Sequence, residues 1–181
     1  MTKKLKPLEL RNTQPSSQQL AALKRQPIYF ILDDVLDTYN TGGIFRLADA
    51  VGAEKVFLCG GTESPPNSKV KKASVNTWQW VNWQYKKTAL EAMAELRQSV
   101  PGIQIIAVEQ HATSQSYDQF DFNFPVALVV GNETRGIHPE VLAAVDGIVE
   151  IPLLGVNTSL NVIVSLAVVV YQVLEHGGIK D

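Results

Sequence analysis

Val126-Ala127-Leu128-Val129-Val130-Gly131-Asn132-Glu133-Thr134-Arg135-Gly136 runs from an unbroken apolar stretch straight into a glycine and a polar loop. Apolar residues without polar alternation fit a strand covered on both faces, the habit of parallel sheets. Gly131, at the carboxyl end of that strand, lets a ligand approach the backbone closely. Outward from it, Gln104–Val108 and Ile148–Ile151 have the same short, β-branched character, and Ile28–Leu32 and Lys55–Leu58 add two more strands. Helical spacing fills the intervals at Gly43–Val51 (closed by Gly52), Thr88–Ser99, Pro139–Val145 and Leu160–Glu175. In the helix at Thr88–Ser99, Ala89, Ala92, Met93 and Leu96 form the core stripe. The alternation predicts an α/β fold with an open, mostly parallel sheet flanked by helices.

At 181 residues and 45% hydrophobic content, the chain suits one compact domain. Residues 1–26 are polar and are expected to form a short extension, with a helix opening near Ser16 or Ser17 and carrying Leu20, Leu23, Lys24 and Arg25. Residues 27–181 form the domain itself. The net charge of -2 excludes the bulk basic signature of a nucleic-acid binder, so any such affinity must be local. Lys3, Lys4 and Lys6, then Lys69, Lys71 and Lys72, then Lys86 and Lys87 are the candidate patches, although short charge runs commonly serve only as solvated surface. Cys59 is the only cysteine, which excludes an intramolecular disulfide and a multi-cysteine zinc site and suits a reducing compartment. Met1–Leu10 lacks the apolar core of a signal peptide. Leu160–Leu174 falls short of the roughly 20 apolar residues of a membrane span and reads as a buried helix. A cytoplasmic location without membrane association is expected. His111, His138 and His176 have no ligand spacing, so no metal is assigned.

Three segments gather chemistry. Asn40-Thr41-Gly42-Gly43-Ile44-Phe45-Arg46 follows the first strand, and the expected helix would present Arg46 over the open backbone of Gly42 and Gly43, suited to gripping a phosphate. Taken alone, this segment is better read as a tight turn with a surface arginine. In the second, Gly131–Gly136, Glu133 and Arg135 are candidates for polar contacts, and a plain strand-to-helix connection fits equally well. In the third, Ile151-Pro152-Leu153-Leu154-Gly155-Val156-Asn157-Thr158-Ser159-Leu160-Asn161, helix capping explains Asn157, Thr158 or Ser159 singly. Asn161, placed just inside an apolar helix, would need partners of its own.

Together the segments closely resemble the three signature motifs of the SpoU/TrmH family in the SPOUT class of methyltransferases. The resemblance covers Ile28 to the end and rests on Asn40, Gly42 and Arg46, on Gly131, Asn132, Glu133 and Gly136, and on Ile151, Pro152, Ser159, Leu160 and Asn161. Lys72-Ala73-Ser74 also resembles a family segment lying between the first two motifs. The resemblance implies an S-adenosylmethionine-dependent RNA ribose-2′-O-methyltransferase, a homodimer with the active site completed across the interface, and a C-terminal deep trefoil knot. It implies catalytic roles for Arg46, Asn40, Glu133, Ser159 and Asn161. The cofactor would be held around Val108, Glu109, Gly131, Asn132, Gly136, Ile151, Leu153, Ser159 and Leu160, where apolar strand ends can sandwich an adenine while backbone groups read its polar edge. An isolated knot would leave the apolar C-terminal helix partly uncovered, in keeping with a dimer.

The partner is then RNA, with transfer RNA preferred over ribosomal RNA, because a compact dimer without a separate RNA-binding domain can read a small folded RNA by shape and phosphate contacts. The rival from another class is a non-catalytic knotted RNA-binding module. A dinucleotide-dependent oxidoreductase ranks lower, since G-x-G-x-x-G is missing after the first strand. Trp78, Trp80, Trp83 and Tyr85 could stack on bases, but the use of aromatics in strands favours a sheet edge or dimer contact.

Overall fold

The computed structural model describes residues 14–177, so the Lys3, Lys4 and Lys6 patch and the stretch Met1–Leu10 lie outside the described residues. Strands β1 (Gln26–Asp33), β2 (Ala53–Cys59), β3 (Trp83–Lys86), β4 (Gln104–Val108), β5 (Gln115–Ser116), β6 (Val126–Gly131) and β7 (Gly147–Glu150) form one sheet of order β3-β2-β1-β6-β4-β7-β5. Every adjacent pair is parallel. The helices are α1 (Ser17–Ala21), α2 (Thr38–Ala50), α3 (Ser68–Ser74), α4 (Ala89–Ser99), α5 (Pro139–Leu142) and α6 (Val162–Gly177), with a 3-10 turn at Thr77–Gln79.

Strand alternation sorts the core into two layers. Ile28, Phe30 and Leu32 of β1 pack with α2 and α6 on one face, whereas Ile31 packs with α4 and α5 on the other. Residues Val126–Gly131 are all buried, as the unbroken apolar run requires of a strand paired on both sides. The chain lays down β1, β2 and β3 towards one edge and then crosses over. It later inserts β6 between β1 and β4, and β7 between β4 and β5. The strand order therefore reverses in the middle of the sheet, where open α/β proteins form a crevice at the carboxyl ends.

Ser16 caps α1 with a reciprocal Gln19 box, as its sequence suggested, but Leu23, Lys24 and Arg25 lie beyond the helix end. Helix α2 begins at Thr38 rather than Gly43, because Asp37 accepts the Tyr39 amide and caps it. Gly42 and Gly43 therefore lie inside the helix. At Gly42 a Cβ would come within 2.9 Å of the Ala73–Ser74 backbone of α3, so the glycine permits two helices to touch. At Gly43 the obstacle is only the flexible end of the Ile163 side chain. The expected helix at Pro139–Val145 is a short turn, Pro139–Leu142, and the last strand ends one residue earlier, at Glu150.

Trp83 and Tyr85 occupy the edge strand β3, and Trp83 meets Phe45 edge to face. Trp80 donates its indole N–H to Asp49 at 2.6 Å, so Trp80 and Trp83 fasten the sheet edge to α2. Helix α6 buries Leu166, Val169, Val170, Val173 and Leu174 and leaves Val164 and Tyr171 about half exposed, so it is buried on one side only.

Candidate active site

The carboxyl ends of β4, β6 and β7 open into a cavity of about 480 Å³. Its wall combines apolar strand ends (Val108, Val130, Val149, Ile151) with Leu153 and Leu160 from the following loop. Glu109, Gly131, Asn132, Gly136 and Ser159 also line it, so every residue expected around a cofactor meets at one cavity. Glu133 and Asn161 share its rim.

Glu133 joins the second segment to the first. Its carboxylate accepts the amides of Leu36 (3.2 Å) and Asp37 (3.1 Å) and the side-chain amide of Asn40 (2.8 Å). Those donors stand at the N-terminus of α2, where negative charge is favoured. Burial pushes the Glu133 carboxyl up, but the hydrogen bonds from Asn40 and the backbone outweigh it and hold the group below the usual carboxylate range. Asn40, itself buried, then accepts from Asn161 Nδ2 at 3.0 Å. Glu133, Asn40 and Asn161 thus form one hydrogen-bonded chain through all three segments. Asn161 also accepts the Ile163 amide at 2.9 Å and caps α6. It is the cap itself rather than a buried helical residue, and Asn157, Thr158 and Ser159 precede the helix without capping it.

Gly131 lines the cavity and is also required by a close turn. A Cβ on it would strike the backbone of Gly136 and Ile137, and Asn132 and Gly136 exchange both backbone hydrogen bonds across that turn. Asn132 organises the same loop: its Oδ1 accepts the amides of Thr134 and Arg135, and its Nδ2 donates to the Asp34 carbonyl. Glu109 uses both carboxylate oxygens on backbone, from Gln110 (3.0 Å) and Ile137 (3.1 Å). Arg135 is well exposed and lies 3.8 Å from Asp34. His138 donates its backbone amide to Asp33 and pairs through Nδ1 with the same buried carboxylate, both at 2.9 Å. Its Nε2 is 3.4 Å from Asp34. The hydrogen bond and charge of Asp33 hold the His138 imidazole above its ordinary pKa.

Arg46 is not brought to the cavity. It lies on the exposed face of α2, about 9 Å of helix rise beyond Asn40. Gly42 and Gly43, expected to offer open first-turn backbone beneath it, lie inside the helix, which begins at Thr38. Two features escaped sequence reasoning. Asp37 was available as an N-cap, but the glycine pair drew the helix start downstream. Gln110, which lines the cavity and donates to the Thr158 carbonyl at 3.0 Å, carries no motif.

Fold and cavity define a parallel α/β protein with its cavity at the carboxyl ends of its strands, where three loops converge. The chain belongs to the SpoU rRNA Methylase family, whose model matches residues 27–171. It is 30% identical to the tRNA (guanosine(18)-2′-O)-methyltransferase of Escherichia coli over 82% of this chain and 64% of that protein. Among solved structures it resembles the TrmH/SpoU tRNA modifying enzyme of Aquifex aeolicus, with a TM-score of 0.76, 27% identity, and coverage of 88% of this chain and 82% of that one. The AdoMet-bound rRNA methyltransferase of Sinorhizobium meliloti also gives a TM-score of 0.76 and 27% identity, over 92% of this chain and 60% of that one. The chain spans 58–64% of the length of the curated relatives that share 30% identity with it.

Proposed function

We propose that the chain is an RNA methyltransferase that moves a methyl group from S-adenosylmethionine to a ribose 2′-hydroxyl, on transfer RNA in preference to ribosomal RNA. The observation that carries the reading is the hydrogen-bonded chain Glu133–Asn40–Asn161 at the cavity rim. Simple loop connections have no need to be tied together in this way. The cavity suits the cofactor: about 480 Å³ is within the range for a ligand of that size, and apolar strand ends fit an adenine. Val108, Gly131, Ile151, Leu153 and Leu160 would hold it, with Glu109, Asn132 and Gly136 shaping the loops and Ser159 facing the substrate side.

When bound, S-adenosylmethionine supplies a sulfonium methyl that is already a good electrophile. The protein's task is therefore alignment and disposal of one proton. Glu133 is a poor proton acceptor, since three donors stabilise its charged form, and it acts by holding Asn40 and the start of α2. Arg46 binds an RNA phosphate and stabilises the developing 2′-alkoxide, and the hydroxyl proton leaves to phosphate or water. An arginine with a pKa above about 12 is no literal base.

Arg46 is exposed and does not line its own cavity, so the reading includes a homodimer in which a second copy completes the site. The half-exposed face of α6 at Val164 and Tyr171, with Leu154 and Val156 beside the cavity mouth, supports such a partner. A C-terminal trefoil knot, a methyltransferase domain at residues 27–181 with a short extension before it, and a cytoplasmic setting belong to the same proposal. Lys69, Lys71 and Lys72 lie exposed on α3, packed against the Arg46 helix, and offer phosphate contacts.

Methyl transfer from labelled S-adenosylmethionine to total unmodified RNA tests the reading, with wild type and Arg46→Ala in parallel and nucleoside mapping of the product. Label recovered as a 2′-O-methyl nucleotide with wild type only is the expected result. Cofactor binding without transfer to any RNA would instead support the non-catalytic binding module.

A further inference from the structure

The loop over the cavity mouth, residues 152–160, is sparsely held. Leu154 and Val156 are fully exposed. Among the described residues the loop's side-chain hydrogen bonds are an internal one, from Asn157 to the Ser159 carbonyl, and one from outside, from Gln110 Nε2 to the Thr158 carbonyl at 3.0 Å. Gln110 is itself placed by its neighbour. The Glu109 carboxylate accepts the Gln110 amide at 3.0 Å on one oxygen and the Ile137 amide at 3.1 Å on the other. Gly136 has no Cβ where that carboxylate lies, and at a φ of +70° the position favours glycine independently. Ile137, Glu109, Gln110 and Thr158 therefore make a second chain of contacts, which starts just beyond β4 rather than from α2. It ties the second segment to the third through the end of one strand.

We infer that Gln110, fixed by Glu109, is a positioning residue that holds the loop at residues 152–160 over the cofactor cavity. The inference rests on the cavity being the cofactor site. Glu109 thereby sets the backbone at Gln110 and Ile137, one on each carboxylate oxygen. The loop supplies Leu153, Ser159 and Leu160 to the cavity wall, so releasing Thr158 loosens that side of the pocket while the strand ends remain. Gln110 is exposed, and its loss removes no core packing.

Gln110→Ala and the isosteric Gln110→Glu, which has an oxygen where the donor was, separate the hydrogen bond from side-chain bulk. Both should weaken S-adenosylmethionine binding in titration calorimetry by about three- to tenfold, the range for one lost hydrogen bond. Both should raise the KM for the cofactor by the same factor, with kcat changed less than about twofold, as for an interaction made equally in ground and transition states. Gln110→Lys, which keeps a donor, should recover part of the loss. Millisecond hydrogen exchange on the unliganded protein should show the amides of residues 155–160 exchanging faster in Gln110→Ala and Gln110→Glu. Wild-type exchange in both variants would overturn the clasp itself. Faster exchange with unchanged affinity would overturn its role in positioning. A wild-type protein that binds no S-adenosylmethionine, with faster loop exchange in the variants, would instead overturn the cofactor reading and leave a clasp with no cofactor to position.

Discussion

Replacing Asn40 with alanine should destabilise the protein far more than one polar side chain ordinarily would. Asn40 is buried, donates to the Glu133 carboxylate at 2.8 Å and accepts from Asn161 at 3.0 Å, so its truncation breaks two hydrogen bonds at once. A bond to a charged group contributes about 1.5–3 kcal/mol and a neutral one about 0.5–1.5. Glu133 is an exposed residue that keeps the Leu36 and Asp37 amides, and water can replace part of the loss. The low end of the sum, about 2 kcal/mol, is therefore expected. With a urea m-value near 2 kcal/mol/M, the unfolding midpoint should fall by about 1 M. Asn40→Asp is the sharper control. It preserves shape but sets a second carboxylate against Glu133, so its destabilisation should exceed that of alanine at neutral pH and shrink as acid protonates one of the pair. Urea titrations at pH 7 and in mild acid read both variants. A midpoint for Asn40→Ala within about 0.2 M of wild type would refute the view of Asn40 as the hub joining the three segments.

The two central glycines of α2 should behave differently. Gly42→Ala faces the α3 backbone and should cost about 1–3 kcal/mol of overpacking, whereas Gly43→Ala meets a movable Ile163 and should lie near neutral, its clash offset by better helix propensity; thermal melts compare them. His138, raised by Asp33, gives stability fully present below about pH 6.5 and lost as pH rises through its elevated folded pKa. His138→Ala should flatten that part of the stability–pH profile, and an unchanged alkaline decline would count against the Asp33 pairing. Glu133, held low, gives stability present above about pH 4.5 and lost as pH falls through its folded value, so Glu133→Gln should blunt the onset of acid unfolding followed by circular dichroism. Arg46→Ala, at an exposed position, should leave the melting temperature within about 1 °C while abolishing methyl transfer.

The sheet was legible because each buried strand writes its burial on both faces, as Val126–Val130 does. Helix starts were less so. The Gly42–Gly43 pair looks like a turn to local reasoning, and only the proximity of Ala73, thirty-one residues on, explains glycine inside a helix. Asn161 was singled out for the right reason, a need for partners, but at the wrong position relative to its helix. Helix α3 and strand β5 were missed because a seven-residue basic helix and a two-residue strand carry too little periodicity to announce themselves. The candidate site residues converge on one cavity apart from Asn40, which is hydrogen-bonded at its rim, and Arg46, whose distance from it no local pattern could have revealed.

The late insertion of β6 and β7 has a bearing on how the protein is made. Until Val126–Gly131 arrives, β1 is unpaired on one side and β4, whose neighbours β6 and β7 both come later, on both, and the strands so exposed are largely apolar. Such edges attract other chains, and closing them requires contacts distant in sequence, as Ile28 with Val126 illustrates. A nascent chain ending anywhere before residue 126 is therefore a sticky half-sheet. Ribosome-released fragments of that length should partition to the pellet, while those extended through α6 remain dispersed.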